Sequence, residues 1–114
     1  MAKKPELKKA IYVNWEESEK GWGTRPDGCS LHLALKDYKA FEEAYWAKMP
    51  KEVPDEYSRP AGEPVEVRVN SKLYREIIKA KNGLRLGHQG EKIEAKEGNL
   101  VYGSKRSGWV SLQI

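Results

Sequence analysis

The chain has 114 residues, one cysteine, and no run near the roughly 20 apolar residues of a membrane span. That excludes an intrachain disulfide framework and a helix-spanning membrane protein, and it predicts one cytoplasmic domain without a signal peptide, burying roughly 65% of its unfolded surface. The net charge is +4, from 21 basic against 17 acidic residues: too mixed for a polycation, enough to draw anionic ligands at low salt.

The first ten residues, with Lys3, Lys4, Lys8 and Lys9, read as a basic arm that frays, and residues 11–114 as a single ligand-binding domain. Residues 11–15 (Ile11-Tyr12-Val13-Asn14-Trp15) predict a strand, and so do residues 29–33, where Leu31 and Leu33 alternate with Ser30 and His32. Between them, Gly21-Trp22-Gly23-Thr24-Arg25-Pro26-Asp27-Gly28 reads as a shaped loop, with glycines at backbone angles other residues resist. A flat aromatic, a guanidinium and bare backbone N–H groups suit a planar, phosphorylated ligand. The plainer alternative folds Trp22 back onto the sheet and pairs Arg25 with Asp27.

Residues 34–49 predict a helix whose apolar stripe is Tyr38, Phe41, Tyr45 and Met49, ended by Pro50. Trp46 falls off that stripe, free for another element or subunit. Four prolines and Gly62 mark residues 50–64 as a stiff connector, in which Tyr57 and Arg59 form either a second ligand loop or a mere anchor. Val65, Val67 and Val69 alternate as a half-buried strand. Asn70 or Ser71 then caps a second helix with Leu73, Tyr74, Ile77 and Ile78 inward and Asn82-Gly83 as its left-handed stop. Four short strands follow, around Leu84-Leu86, Lys92-Glu94, Leu100-Tyr102 and Trp109-Leu112. The fold class is α+β: a small domain with a mainly antiparallel sheet, two helices and glycine-rich turns.

No catalytic set assembles. Cys29 and His32 lie three apart on a strand and so face opposite sides, and alternation with Leu31 and Leu33 puts His32 on the more polar face. Glu16-Glu17 reads as a solubilising pair. Two histidines and one cysteine, widely spaced, give no metal site, and no cofactor motif is present. Anion binding falls to cations in turns. Arg25, Arg59, Arg85, Lys105 and Arg106 pair with phosphates, Trp22 or Tyr57 stacks on a base, and Asn82 or Asn99 bonds base or ribose. Alternation with Leu84 and Leu86 points Arg85 away from the core. The basic residues are interspersed with acids, without a helix-turn-helix or RNP motif, so nucleic acid is the weaker partner. Four tryptophans and six tyrosines against one phenylalanine favour pockets and subunit interfaces.

The stretch from Tyr12-Val13-Asn14-Trp15 through Gly21-Trp22-Gly23-Thr24-Arg25-Pro26-Asp27-Gly28 to Leu31-His32-Leu33, with Tyr45-Trp46, Met49-Pro50 and Tyr57-Ser58-Arg59-Pro60, resembles small bacteriophage proteins of the first Thoeris anti-defence family. The resemblance covers about the first half of the chain. It implies a non-enzymatic sponge: an oligomer that sequesters a nucleotide-derived immune signal, of the cyclic ADP-ribose type or a cyclic oligonucleotide. The alternative is an inhibitor that binds protein or nucleic acid, such as an antagonist of an RNA-guided nuclease.

Overall fold

A computed structural model describes residues 7–19, 21–49, 56–89 and 109–112, apart from the side chains of residue 56 and residues 87–89. The fold is α+β. The elements are β1 (Leu7–Glu19), β2 (Gly23–His32), α1 (Leu35–Ala47), β3 (Glu56–Asn70), α2 (Ser71–Lys79), β4 (Leu84–Gln89) and β5 (Val110–Ser111). The sheet order is β3-β1-β2-β4-β5, and every neighbouring pair is antiparallel.

Alternation along β1 explains the two-sided core. Ala10 and Tyr12 point to one face, where they join Cys29, Leu31, Val67, Val69, Leu84 and Leu86 under Leu73 and Ile77 of α2. Val13 and Trp15 point to the other, under Tyr38 and Phe41 of α1 with half-buried Tyr45 beside them. Each helix therefore covers one face of a central sheet. The predicted stripe of α1 packs as expected through Tyr45, while Met49 falls beyond the last helical turn. In α2, Asn70 caps the helix, accepting from the Leu73 N–H at 2.8 Å, but Ile78 is 53% exposed and belongs to no inward face. Its stop differs in detail: Lys81 and Gly83 take positive φ, at 56° and 105°, rather than Asn82.

The larger corrections concern strand length. β1 runs eight residues on the two sides of the predicted strand, and its start brings Leu7–Ala10 of the supposed basic arm into register with Val67–Asn70. The shaped loop shrinks to Gly21-Trp22, because Gly23 to Pro26 continue into β2 opposite Glu16–Glu19. Gly28, at φ 78°, sits at the register shift that lets the strand carry an extra residue. Likewise Glu56–Asn70 is one strand rather than a connector. It tolerates Pro60 and Pro64 because β3 is the last strand on its side and the ladder shifts between Ala61 and Val65. The strands expected at Lys92-Glu94 and Leu100-Tyr102 lie outside the described residues.

Candidate functional site

Side-chain chemistry concentrates on the α1 face. β1 places Trp15 and Glu17 there, β2 places Arg25, Asp27, Ser30 and His32, and β4 places Arg85 opposite Ser30. The Arg85 guanidinium lies 3.9 Å from the Trp15 ring centroid, a cation–π contact. Its Nη2 donates to the Asp27 carboxylate at 2.8 Å and to the Asp27 carbonyl at 3.0 Å. Asp27 also accepts from the Ser58 hydroxyl, and the Ser58 carbonyl accepts from the Tyr45 hydroxyl. The pair is mostly buried, with side chains 16% and 13% exposed. Burial pulls the Arg85 pKa below its ordinary range, and Asp27 opposes that pull. The expectation that Arg85 points away from the core is therefore overturned. It shares a face with Trp15, and the aromatic supplies the apolar cover that its neighbours Leu84 and Leu86 receive from α2.

A second chain of contacts runs beneath α1. Trp15 Nε1 donates to Ser30 Oγ at 2.8 Å, and Ser30 Oγ meets His32 Nε2 at 2.8 Å. The His32 ring packs on Tyr38 and Phe41, with centroids 4.9 and 5.4 Å away. His32 is 1% exposed, so the predicted polar face is in fact the buried α1 face. The alternation was read correctly, but α1 covers the side that carries serine and histidine. Burial lowers the His32 pKa to about 4, against weaker opposing pulls from the Asn82 backbone and Asp37. An unfolded histidine titrates near 6.5. Between these values the unfolded state holds more protons, so stability falls as pH falls from about 6.5 to 4, by about 3 kcal/mol. Urea midpoints at pH 7 and pH 4.5 should differ more in the wild type than in His32→Gln. Cys29 points to the α2 face, where burial pushes its thiol up to about 12. The Cys29–His32 pair is thus split across the sheet.

The predicted ligand residues divide between places. Trp22 stands at the β1–β2 turn, 86% exposed, and does not fold back. Arg25 pairs with Glu17 at 3.2 Å and Glu19 at 2.6 Å instead of with Asp27. Arg59 donates to Glu16 at 2.8 Å and to the Tyr57 hydroxyl at 2.8 Å, and the Glu16 bond raises its pKa. Glu16 and Glu17 are thus ion-pair partners on opposite faces, and Glu17 is buried rather than solubilising. Arg25 and Arg59 lie at the same end of the sheet but on its two faces; Arg85 sits farther along, on the Arg25 face. Asn82 lies at the far end, donating to the Leu112 carbonyl at 3.3 Å. Asn99, Lys105 and Arg106 lie outside the described residues. A pocket beside Asn82 measures about 50 Å³, well short of the roughly 300 Å³ at which ligand sites begin.

Sequence reasoning passed over Trp15, Ser30 and Ser58 as site residues and gave Asp27 the wrong partner, Arg25 instead of Arg85. The signal for Trp15 and Glu17 was their alternation with Val13 along one strand, at positions 13, 15 and 17. Nothing local announced Ser58, which meets Asp27 from a strand 31 residues away. Among the described residues, no three His, Cys, Asp or Glu side chains gather as metal ligands, and no helix is long and apolar enough to cross a membrane. No family model matches the chain, and neither a curated protein nor a solved structure matches it.

Proposed function

We propose that this chain is a non-enzymatic binding protein, acting in the cytoplasm by docking on another protein through the Trp22 end of its sheet. The observation that carries the reading is the 86% exposure of Trp22 on a braced support. The turn is closed by the Trp22 N–H donating to the Glu19 carbonyl at 3.0 Å, with Gly21 and Gly23 at positive φ on either side. Arg25 clamps β2 to Glu17 and Glu19, and Arg59 clamps β3 to Glu16. A large aromatic held out on a stiff support loses little entropy on binding and is a common energetic anchor of protein interfaces. The charge nearby disfavours an anionic partner: two arginines face three glutamates, and each arginine is already paired. A small inhibitor of a defence complex would work in this manner, by occupying a surface of a larger assembly.

Trp22→Ala should leave stability within about 0.5 kcal/mol, because the side chain packs on little. Its effect belongs to binding. With a photo-crosslinking phenylalanine at position 22 in bacterial lysate, a discrete protein adduct is expected. Excess wild-type chain should compete it away, and excess Trp22→Ala should not. Equal competition by both would sink the anchor role.

The sponge reading is the second one, and the free face of Trp22 favours it because such a face also stacks on a base. It needs its cations from between copies of the chain, or from Lys105 and Arg106. Native mass with a panel of cyclic nucleotides separates the two readings.

A further inference from the structure

β3 closes one side of the sheet, and among the described residues no strand pairs with its outer side. Its two halves differ there. Pro60, Gly62 and Pro64 interrupt the first, where the ladder to β1 also shifts register. From Val65 to Asn70 the strand has neither proline nor glycine, and it pairs in unbroken register with Tyr12 to Leu7. Alternate residues of such an edge turn their N–H and C=O groups away from the sheet, a ready template for another strand. The helices lead elsewhere. α2 leaves the end of β3 and carries the chain past β1 and β2 to β4, and α1 packs over Val13 and Trp15.

The side chains of this segment suit one occupant. Val67 and Val69 are fully buried under α2, and half-buried Val65 packs beside them. Glu66 and Arg68 alternate to the other face, and both are exposed. Charges of one sign along an edge repel a second copy of it; this edge carries one of each. Arg68 stands directly across from Lys9 of β1, a like-charge pairing that weakens a ladder. Lys9 reaches Glu66 at 3.8 Å, whereas Arg68 meets no carboxylate among the described residues.

We propose that two copies of this chain pair through the Val65–Val69 segments of their β3 strands, antiparallel about a two-fold axis at Val67. This register sets Glu66 of each copy opposite Arg68 of the other, and so gives Arg68 its missing carboxylate on both sides of the axis. It also sets Val65 opposite Val69 and Val67 opposite Val67, β-branched pairs that favour a ladder. An axis at Glu66 or at Arg68 would oppose like charges instead. An axis at Val65 or Val69 would run the pairing into Pro64 or the start of α2. The inference goes beyond the docking reading and does not rest on it. Trp22 lies at the opposite end of β3, where Glu19 pairs with Glu56, so the dimer presents its two Trp22 turns at opposite extremes.

Sedimentation velocity on the full-length chain at low salt tests the proposal. The wild type should pass from monomer to dimer with a Kd in the high micromolar range, as for the small interfaces of transient complexes. Arg68→Glu alone, or Glu66→Arg alone, opposes like charges at both sites and should weaken the dimer by about tenfold or more. Mixed in equal amounts, the two variants should form a heterodimer of wild-type affinity, because one copy then supplies only arginines and the other only glutamates. Both positions are exposed, so both variants should keep the wild-type urea midpoint. A wild type that stays monomeric up to about 1 mM would overturn the proposal and leave the edge to a different strand or to water. A dimer that neither variant weakens would overturn it by placing the contact elsewhere, and a mixture that fails to associate would overturn the register.

Discussion

Asp27→Ala is expected to destabilise the fold by about 3–5 kcal/mol, the usual cost of removing one partner from a buried ion pair. Arg85 is held on Trp15 with 16% of its side chain exposed, and among the described residues Asp27 is the carboxylate it meets. Its Nη1 is already buried without a partner. Without Asp27, Nη2 loses its charged acceptor as well, and a full positive charge is stranded between the ring and α1. The Ser58 hydroxyl loses its acceptor at the same time. Thermal unfolding should move down by about 10–20 °C for a chain of this size. The double variant Asp27→Leu with Arg85→Met removes both charges and should recover to within about 1.5 kcal/mol of the wild type, since buried ion pairs roughly break even against apolar pairs of similar volume. A double variant no more stable than Asp27→Ala would show that the loss came from packing rather than from the unpaired charge.

Gly83→Ala should be comparably severe, at about 3 kcal/mol or more, for a different reason. Gly83 has φ 105°, a region closed to residues with a Cβ. The added carbon would also stand 2.6 Å from the Leu31 carbonyl oxygen and 2.7 Å from His32 Nδ1. The first contact is with backbone in the middle of the sheet and cannot yield by a side-chain rotation. Moreover, the Gly83 carbonyl accepts from the Leu112 N–H at 2.9 Å, so a shift of this residue would loosen β5 from β4. Gly62→Ala is the control. It has a similar positive φ of 77° but nothing within 4 Å of the added carbon, so it should lose only the backbone part, about 1 kcal/mol. Equal losses at the two sites, by urea denaturation, would remove the steric argument.

Periodicity made both helices legible. The stripe Tyr38, Phe41, Tyr45 and the cap Asn70 before Leu73 and Ile77 are local patterns, and packing agreed with them. Strand lengths were obscured because glycine and proline punctuate residues that the ladder nonetheless recruits. Pro26, Gly28, Pro60 and Gly62 look like loop chemistry, yet they occupy bulges and an edge strand, where a missing N–H or an unusual φ is tolerated. The arginines followed from the same misreading. Assigned to loops, Arg25 and Arg59 were free to converge on a ligand; placed on paired strands, they meet Glu17 and Glu16 in register. Arg85 was harder still. Its alternation was correct, but which face a helix covers is decided by α1 crossing over Trp15, and no local pattern encodes that.

Arg25, Arg59 and Arg85 are spent on intramolecular ion pairs, and the proposed role of Trp22 as a protein anchor rather than the lid of an anion site rests on this. Native mass spectrometry tests it most directly, on the full-length chain mixed with cyclic ADP-ribose-type and cyclic oligonucleotide ligands. The chain should fly without any added ligand mass. A stoichiometric adduct that disappears in Arg25→Ala or Arg59→Ala would contradict the account.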